Sequence, residues 1–259
     1  MDLGLTGKSA IVCASSRGLG RACATALAHE DVRVLINGRD GDRLDAVREE
    51  LARETGAEIL AVAGDLSTEA GREALLDAMP APDILVNNNG GPPPRDFRQV
   101  DRAGMLAGLE ANMIAPIALI QAVIDGMIER RFGRIVNITS GSVKMPISGL
   151  DLSSGARAGL TGFVAGVARA VVHANVTINN LLPGMFDTDR ISALVASQSK
   201  QSGRSPDVVR RQREQSIPAW RFGDPAEFGT ACAFLCSAQA GYISGQSLLI
   251  DGGAFPGIL

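Results

Sequence analysis

Short runs of apolar residues alternate with amphipathic helical patterns from one end of the chain to the other. The apolar runs are typical of buried strands, and the amphipathic patterns are typical of helices that cover a sheet. Strands are predicted at residues 10–13, 32–36, 58–63, 83–87, 133–139, 176–181 and 247–250. Because strand and helix alternate strictly, the strands should be parallel and joined by right-handed crossovers. The pattern predicts an α/β fold, a doubly wound parallel sheet of about seven strands with helices on both faces.

The predicted helices lie between these strands, at 21–28, 42–54, 67–79, roughly 101–131, about 152–174 and roughly 225–237. Ser67 is the expected N-cap of its helix, and a break is expected near Asn112. The proline run at 92–94 excludes a helix or an inner strand there. Since no linker or repeat divides the chain, residues 1–259 are expected to form a single domain with a polar, irregularly patterned insertion around 187–217.

Composition and charge exclude several classes of protein. The 259 residues are 46% hydrophobic, which is ample material for a core, and the formal net charge is −3. This charge argues against broad nucleic-acid binding. No apolar run approaches the roughly 20 residues of a membrane span, and the N-terminus lacks a signal-peptide profile. We therefore expect a cytoplasmic protein with neither nucleic acid nor membrane as a partner.

The cysteines and histidines show no metal-site pattern, and no metal is expected. No C-x-x-C pair or nearby histidine suggests such a site, so the cysteines are interpreted as small buried residues. The histidines, His29 and His173, are interpreted as structural or surface residues. The cysteines are Cys13, Cys23, Cys232 and Cys236.

Polar and glycine residues crowd the predicted carboxyl ends of the strands, where ligands of a doubly wound sheet bind. In the first of these stretches, a strand, a glycine turn and a helix follow one another. This order places free backbone N–H groups where phosphate binds well. Gly18 and Gly20 lack side chains that would keep a pyrophosphate away from the backbone. Taken alone, the glycine pair fits an ordinary tight turn equally well.

Several short motifs follow one another along nearly the whole chain. They are Ala14-Ser-Ser-Arg-Gly-Leu-Gly20, Gly64-Asp-Leu66, Asn87-Asn-Asn-Gly90, Asn112, Gly133-Arg-Ile-Val-Asn-Ile-Thr-Ser140, Pro183-Gly184 with Thr188, and Ile250-Asp-Gly-Gly253. Together these motifs resemble the short-chain dehydrogenase/reductase family, in particular its 3-oxoacyl carrier-protein reductase-like branch. The resemblance implies a Rossmann sheet, a nicotinamide cofactor and usually a tetramer.

The resemblance also implies which residues hold the cofactor. Asp65 and Leu66 should flank the adenine, Asn87 and Gly90 should line the ribose, and Thr188 should meet the nicotinamide amide or the phosphates. The full implied set is Ser15, Ser16, Arg17, Gly18, Leu19, Gly20, Asn37, Arg39, Asp65, Leu66, Asn87, Asn88, Gly90, Arg157, Pro183, Gly184 and Thr188.

Charges near the end of the second strand bear on the choice of cofactor. NAD binders place a carboxylate there to hold the ribose hydroxyls. That position is taken to be Asn37, with Arg39 two residues on and Arg17 in the glycine turn. Since no carboxylate repels a 2′-phosphate and two guanidinium groups could grip it, NADP(H) is expected, with NAD(H) as the second choice. The alternative is that both arginines merely face solvent.

Two positions depart from the family pattern. The opening glycine of the turn is Ala14, whose methyl group could tighten the turn or move the pyrophosphate slightly. The catalytic serine matches Ser140, but Ser153 and Arg157 stand where the family has a tyrosine and a lysine. The only tyrosine in the chain is Tyr242, and the only lysines are Lys8, Lys144 and Lys200.

The second departure removes the usual proton donor. In the family the tyrosine supplies the proton, the lysine lowers the tyrosine pKa and binds the nicotinamide ribose, the serine polarises the carbonyl, and the asparagine holds a water. Ser153 is too short and too weak an acid to replace a phenol, and Arg157 cannot pass a proton because it does not deprotonate in proteins. Lys144 is a candidate donor or a solvated loop residue. The candidate catalytic residues are Asn112, Ser140, Ser153 and Arg157.

Three functional hypotheses follow. In the first, the chain is an NADP-linked oxidoreductase of a carbonyl or alcohol substrate, with a water or another group delivering the proton. In the second, it binds NADP(H) without turnover, as a sensor, regulator or partner subunit. In the third, the pocket has acquired different chemistry or lost its ligand.

The expected partners are a small-molecule substrate and further copies of the chain. The basic insertion at 187–217 could attract an anionic thioester or an acidic carrier protein, or it could be a solvated helix. The stretches at 245–253 and 255–259 resemble the family's subunit-contact edge, which predicts a homotetramer or homodimer. Apolar residues that could line a substrate pocket or a subunit contact are Met145, Pro146, Ile147, Leu150, Met185 and Phe186.

Overall fold

A seven-stranded parallel sheet organises the computed structural model, which describes residues 2–92 and 94–257. The strands are β1 (Ser9–Val12), β2 (Arg33–Gly38), β3 (Ile59–Ala63), β4 (Ile84–Asn87), β5 (Gly133–Ile138), β6 (Val176–Pro183) and β7 (Ser247–Ile250). Their order is β3-β2-β1-β4-β5-β6-β7, and every neighbouring pair is parallel. The predicted α/β fold class is confirmed. Pro93 of the predicted proline run and residues 258–259 of the predicted contact edge lie outside the described residues.

The connections between strands are helical. The α-helices are α1 (Gly18–Ala28), α2 (Gly41–Thr55), α3 (Glu69–Ala78), α4 (Arg102–Leu109), α5 (Ala115–Glu129), α6 (Asp151–Val171), α7 (Asp189–Ser202), α8 (Pro206–Gln215) and α9 (Pro225–Cys236). A π-helical segment, Glu110–Ile114, joins α4 to α5. Short 3₁₀ turns occur at Phe97–Gln99, Gly141–Val143, Val172–Ala174 and Ala238–Ala240.

Alternation along the strands divides the core into two layers, one on each face of the sheet. Val34 packs on one face with Phe228 of α9, in a cluster that includes α1 and α2. Leu35, its neighbour in sequence, packs on the other face with Leu119 of α5. Since α6 also covers this second face, the carboxyl ends of β4 and β5 open between α5, α6 and the glycine turn. All four cysteines are buried, as expected from the sequence.

Several predicted element bounds need correction. Helix α1 begins at Gly18 rather than at residue 21, because the glycine turn itself forms the first helical turn. The N-cap of α3 is Thr68, whose Oγ1 accepts a hydrogen bond from Gly71 N at 3.1 Å. Ser67, the predicted cap, instead donates its hydroxyl to the Asp65 carboxylate at 2.7 Å.

Two irregular regions of the sequence are helical in the structure. The break expected near Asn112 is the π-helical segment, so the helical path continues through it. The polar stretch at 187–217 contains α7 and α8, which pack around a small apolar cluster that includes Ile191 and Val209. The insertion is therefore a helical pair above the sheet rather than an irregular loop.

The helical stretch Arg102–Glu129 is the one candidate membrane span among the described residues. It is 28 residues long, and its most apolar window has a mean hydropathy of 1.6 and is 39% buried. Leu119, Ile120 and Val123 of this stretch pack in the core beneath the sheet. A core helix passes the same test of length and composition, so this stretch alone is weak evidence for a membrane.

Candidate active site

The glycine turn between β1 and α1 leaves the N-terminus of α1 open. Arg17, the N-cap residue, has an extended backbone, and its side chain does not cap the helix. Gly18 has φ of 58°, a conformation that favours glycine. A Cβ on Gly20 would overlap the Ala14 carbonyl oxygen and lie 2.7 Å from Asn88 Nδ2. The turn can therefore pack this closely only with glycine, and its uncapped amides suit a phosphate group.

Ala14 carries backbone strain where the resemblance placed a glycine. Its φ is 45°, in the left-handed region that a residue with a Cβ seldom adopts. Two amide side chains hold this strained residue. Asn88 Nδ2 donates to Ala14 O at 3.1 Å, and Ala14 N donates to Asn37 Oδ1 at 3.3 Å. The turn is thus fixed from β4 and from β2.

Asn37 is buried, and its side chain points into the protein. Its Nδ2 donates to Val62 O at 3.0 Å and to Gly64 O at 3.2 Å. Ser15 is equally internal, with its Oγ donating to Val12 O at 2.7 Å. The structure places these two predicted cofactor residues in the support of the turn, not on the surface that a ligand would touch.

Arg39 is the exposed basic residue at the end of β2, and it lies beside Asp65. The pKa of Asp65 is lowered, chiefly by hydrogen bonds from Ser67 and to a smaller extent by the charge of Arg39. Arg17 is also exposed, on the turn. Both guanidinium groups are therefore open to solvent.

A cavity of about 670 Å³ begins at this edge and extends between the loop after β4, α4 and the start of α6. It joins the predicted adenine region to the predicted catalytic region. Its lining is Arg39, Asp65, Ser67, Asn89, Gly90, Gly91, Pro92, Arg95, Val100, Gly104, Ala107, Gly108, Glu110, Ala111, Asn112, Gly149, Leu150, Asp151, Leu152 and Ser153.

Ser153 and Arg157 meet on the first turns of α6. Arg157 Nε donates to Ser153 Oγ at 3.2 Å. Arg157 Nη1 donates to Ile138 O at 2.7 Å and to Thr139 O at 2.9 Å, at the carboxyl end of β5. Arg157 Nη2 donates to Asn89 O at 3.1 Å. The guanidinium thus connects α6, β5 and the loop after β4.

Burial, together with a smaller effect of the nearby charge of Arg190, lowers the pKa of Arg157 to about 10. The side chain therefore remains a cation at neutral pH. A cation that stays protonated can bind oxygen atoms and stabilise negative charge, but it cannot relay a proton. This geometry agrees with the chemistry inferred for an arginine at this position.

Ser140 and Asn112 stand on different sides of this region. Ser140 follows β5, and its Oγ accepts a hydrogen bond from Ser142 N at 3.1 Å. Asn112 lies in the π-helical segment and donates its Nδ2 to Gly108 O at 3.3 Å. Its Oδ1 is buried and has no partner among the described residues. An acceptor left this way on the cavity wall suits a water or a ligand donor.

The remaining predicted residues divide between the crevice and the core. Thr188 lies close to the turn, with its Cγ2 3.9 Å from the position of a Cβ on Gly18. Leu66 is buried in the core layer under α5. Gly90 lines the cavity, and Lys144 is exposed beyond the 3₁₀ turn 141–143. Ser16 and Leu19 are partly buried in the turn. Pro183 ends β6, and Gly184 packs against Asp251.

A row of buried amides lies beneath the site, and the sequence analysis assigned a role only to Asn87, as a residue that lines the ribose. The structure instead buries the Asn87 side chain in this row. Asn87 Nδ2 donates to Asn137 Oδ1 at 2.9 Å, and Asn137 Nδ2 donates to Asn180 Oδ1 at 3.2 Å. Asn180 Nδ2 then donates to Ser247 Oγ at 3.2 Å. These residues are paired in register across β4, β5, β6 and β7. The signal that could have revealed them is one polar residue at the same register position of successive apolar strands.

Ion pairs and hydrogen bonds between its own residues hold the basic insertion together. Arg210 of α8 contacts Asp187 through two hydrogen bonds of 3.1 and 2.5 Å, and its Nε donates to Glu214 at 2.9 Å. Arg213 donates to Gln198 at 2.7 Å. The arginine that turns toward the crevice is Arg190, on the first turn of α7, which the sequence analysis counted only as a charge of the insertion.

Comparisons with known proteins agree with this architecture. The family described as Enoyl-(Acyl carrier protein) reductase matches residues 13–254. The 3-oxoacyl-[acyl-carrier-protein] reductase FabG of Aquifex aeolicus is 34% identical over 259 residues, covering 98% of this chain and 100% of that protein. The NADPH-dependent reductase BacG of Bacillus subtilis is 30% identical, covering 97% of this chain and 99% of that protein. The structure of L-sorbose reductase from Gluconobacter frateurii, complexed with NADPH and L-sorbose, superposes with a TM-score of 0.95 at 27% identity and covers 100% of both chains.

Proposed function

The chain belongs to the short-chain dehydrogenase/reductase family, as its sequence motifs predicted, and we propose that it is an NADP(H)-dependent oxidoreductase that interconverts a carbonyl group and an alcohol without a tyrosine acid. The observation that carries the proposal is the uncapped N-terminus of α1. It is packed tightly against Asn88 and faces Thr188 across the turn. This arrangement is suited to a pyrophosphate.

NADP(H) is the cofactor, and the residues of the crevice fit it. The amides of residues 18–20 would bind the pyrophosphate, and Arg39 with Arg17 would bind the 2′-phosphate. Asp65 and Gly90 border the cavity where the rest of the dinucleotide would lie. Support also comes from the relatives, since one is an NADPH-dependent reductase and another was solved with NADPH.

When bound, NADPH supplies a hydride to the carbonyl carbon. The carbonyl oxygen must then gain one proton to give the alcohol. Ser140 would donate a hydrogen bond to that oxygen, and the Arg157 cation would stabilise its developing negative charge. We infer that a water that donates to the unpartnered Asn112 Oδ1 delivers the proton and regains one from bulk solvent. This route replaces the family's phenol with solvent, and loss of a positioned acid costs about 10²–10⁴ in rate.

The substrate is a carbonyl or alcohol compound whose apolar part lies against the cavity wall formed by Val100, Ala107, Leu150 and Leu152. A 3-oxoacyl thioester is one such compound, and the relatives that act as 3-oxoacyl-[acyl-carrier-protein] reductases support including it. The carbonyl would lie between Ser140 and Ser153, at the inner end of this apolar wall.

The test combines cofactor binding with turnover. NADPH is titrated against the purified protein by fluorescence, and its oxidation is then followed with a panel of ketones and 3-oxoacyl thioesters. The proposal expects tight binding of NADPH and turnover of at least one panel member. It also expects Ser140→Ala to lower kcat about 10²-fold, whereas Ser142→Ala, in the same 3₁₀ turn, leaves kcat unchanged.

Other outcomes would refute parts of the proposal. Tight binding without turnover of any panel member would favour a sensor or partner subunit. Absence of NADPH binding would reject the cofactor assignment altogether. If Ser140→Ala has the same kcat as the wild type, Ser140 does not take part in catalysis.

A further inference from the structure

Three hydrogen-bond donors lie close together around Gly91. A Cβ built on Gly91 would lie 3.3 Å from Ser153 Oγ, 3.7 Å from Arg190 Nη1 and 3.9 Å from Arg157 Nη2. We call this group of donors the Gly91 cradle. Because Gly91 and Ser153 also line the 670 Å³ cavity, a ligand in that cavity can reach the cradle.

The cradle is positively charged and has no counterion within 4 Å among the described residues. The four hydrogen bonds of Arg157 all end on neutral oxygen atoms. A guanidinium has five N–H donors, so one remains for a ligand. Neither Arg157 nor Arg190 belongs to an ion pair among the described residues. Two adjacent cations, one of them buried, are stabilised by an anion between them.

The donors of the cradle select the anion. A carboxylate oxygen can accept several N–H and O–H donors at once, and the second oxygen would then be directed toward the open cavity. Arginine pairs bind carboxylates through directed N–H bonds, and Ser153 Oγ can add a third donor. The cradle lies beside the α6 residue that stands at the family's tyrosine position, so the anion would occupy space that a larger side chain would fill.

We propose that the Gly91 cradle binds the carboxylate of the substrate, which makes the substrate of this enzyme an oxo acid or the matching hydroxy acid. This inference rests on the proposed reductase function and narrows its substrate class. The apolar part of the acid would lie against Val100, Ala107 and Leu152, which line the same cavity. A thioester or an ester of the same acid carries no charge at this position. It would leave the positive charges of the two arginines uncompensated.

The competing source of an anion is the cofactor itself. Arg190 lies two residues after Thr188, whose side chain is near the glycine turn. An arginine that served the pyrophosphate would strengthen the binding of NADP⁺ rather than that of the acid. The experiment therefore measures both affinities separately.

The test uses an acid and its uncharged ester as matched probes. The protein saturated with NADP⁺ is titrated by calorimetry with 4-phenyl-2-oxobutanoate and with its ethyl ester. The wild type is expected to bind the acid about 10- to 100-fold more tightly, the range expected for a hydrogen-bonded charge pair. The same titrations are made without NADP⁺, so that a protein that fails to bind the cofactor still reports on the cradle.

Two variants test the charge of the cradle and the room around Gly91 separately. Arg190→Gln removes one cation from an exposed position, and Gly91→Ala places among the donors a methyl group that meets no backbone atom within 4 Å. Each is expected to weaken binding of the acid about 10-fold or more while leaving binding of the ester unchanged. Arg169→Gln, an exposed change of the same charge on α6, is the control and should alter neither affinity.

The outcomes distinguish this inference from the proposed function. Three results would refute binding of a carboxylate at the cradle. They are equal affinity for acid and ester, no binding of the acid, and an affinity for the acid that neither variant changes. A loss of NADP⁺ affinity in Arg190→Gln with no effect on the acid would assign the arginine to the cofactor and also overturn it. Arginine-dependent binding of the acid without any oxidation of NADPH would uphold the cradle and refute the reductase.

Discussion

Arg157 donates hydrogen bonds to the carbonyl oxygens of Ile138 and Thr139, at the carboxyl end of β5, and of Asn89, in the loop after β4. A planar guanidinium can donate to three such oxygens at once. The ammonium of a lysine, on a flexible stem, matches three acceptors in fixed positions less well. Ser153 is held by the same group through Nε. At the residue scale, the two substitutions at the family's tyrosine and lysine positions therefore form one hydrogen-bonded unit.

The first prediction restores the family's acid. Ser153→Tyr combined with Arg157→Lys places a phenol in the cavity that Ser153 lines, next to an ammonium. We expect kcat for ketone reduction to rise about 10²-fold, because a positioned acid returns to the site. The measurement is NADPH oxidation at saturating cofactor, and circular dichroism checks that the fold is intact.

Arg157→Lys alone serves as the control for this pair. It removes backbone hydrogen bonds without supplying an acid, so it should lower the midpoint of thermal unfolding and give no gain in rate. A folded double variant that binds NADPH but reduces ketones no faster than the wild type would contradict the assignment of position 153.

The second prediction concerns the choice of cofactor. Arg39→Ala removes an exposed guanidinium beside Asp65 while keeping the backbone of β2. We expect the Kd of NADPH to rise about 10- to 100-fold, since a charge-assisted bond to the 2′-phosphate is lost. The Kd of NADH, which lacks this phosphate, should not rise. A parallel loss of both affinities would show that Arg39 holds another part of the dinucleotide.

At the scale of elements, β4 to β7 are joined by more than their backbone ladder. The amide row from Asn87 to Ser247 passes through the sheet directly below the crevice. Each internal member both donates and accepts, so removing one takes a partner from two buried groups. The row stabilises the register of β4, β5 and β6, and Asn88, Ser140 and Gly184 follow the carboxyl ends of these strands.

The third prediction uses two buried polar residues of neighbouring strands as a matched pair. Asn137→Leu leaves Asn180 Oδ1 unpaired and leaves Asn87 Nδ2 with only its 3.5 Å hydrogen bond to Pro116 O, so it should lower the free energy of unfolding by about 2–4 kcal/mol. Thr177→Val removes a buried hydroxyl that has no partner among the described residues, so it should be neutral or stabilising by about 1 kcal/mol. Urea unfolding at one fixed protein concentration measures both. Equal losses in the two variants would show that the amide row adds nothing beyond side-chain packing.

The elements themselves were largely predictable, because apolar runs and glycine turns are local signals. The bounds of β7 agree with the prediction, and the other strands differ by a few residues at their ends. The sequence analysis offered a helix in the insertion only as an alternative, because α7 and α8 are rich in polar residues and bury only one or two side chains each. The π-helical segment around Asn112 was predicted only as a break, since its extra residue per turn leaves no mark in the pattern.

The site was predictable in its members but not in their orientation. Strand alternation decides whether residue 37 or residue 38 faces the crevice, and a shift of one residue reverses the answer. In the structure Asn37 points inward and Gly38 meets Ser16. The approach of Arg190 to Gly91 joins segments far apart in sequence, so no spacing rule could have shown it.

At the scale of the whole molecule, β7 lies at one edge of the sheet, and β6 is its one hydrogen-bonded neighbour among the described strands. Large apolar side chains are exposed around this end of the chain, including Leu248 at 42%, Trp220 at 74% and Tyr242 at 102%. Exposed edges that carry apolar residues are normally covered by another chain. This distribution is what the resemblance to an oligomeric family would require, and it supports the predicted homo-oligomer.

The fourth prediction tests whether copies of the chain associate through this edge. Light scattering at micromolar concentration is expected to give a species larger than the 27.0 kDa monomer. Leu248→Lys should shift the mass toward the monomer, because it places a charge on the apolar edge where an isologous contact would bury it. Leu194→Lys, a similarly exposed apolar position on α7, should leave the mass unchanged. A wild-type mass of 27.0 kDa would refute the oligomer. If Leu248→Lys leaves the mass of the oligomer unchanged, the contact lies on another face.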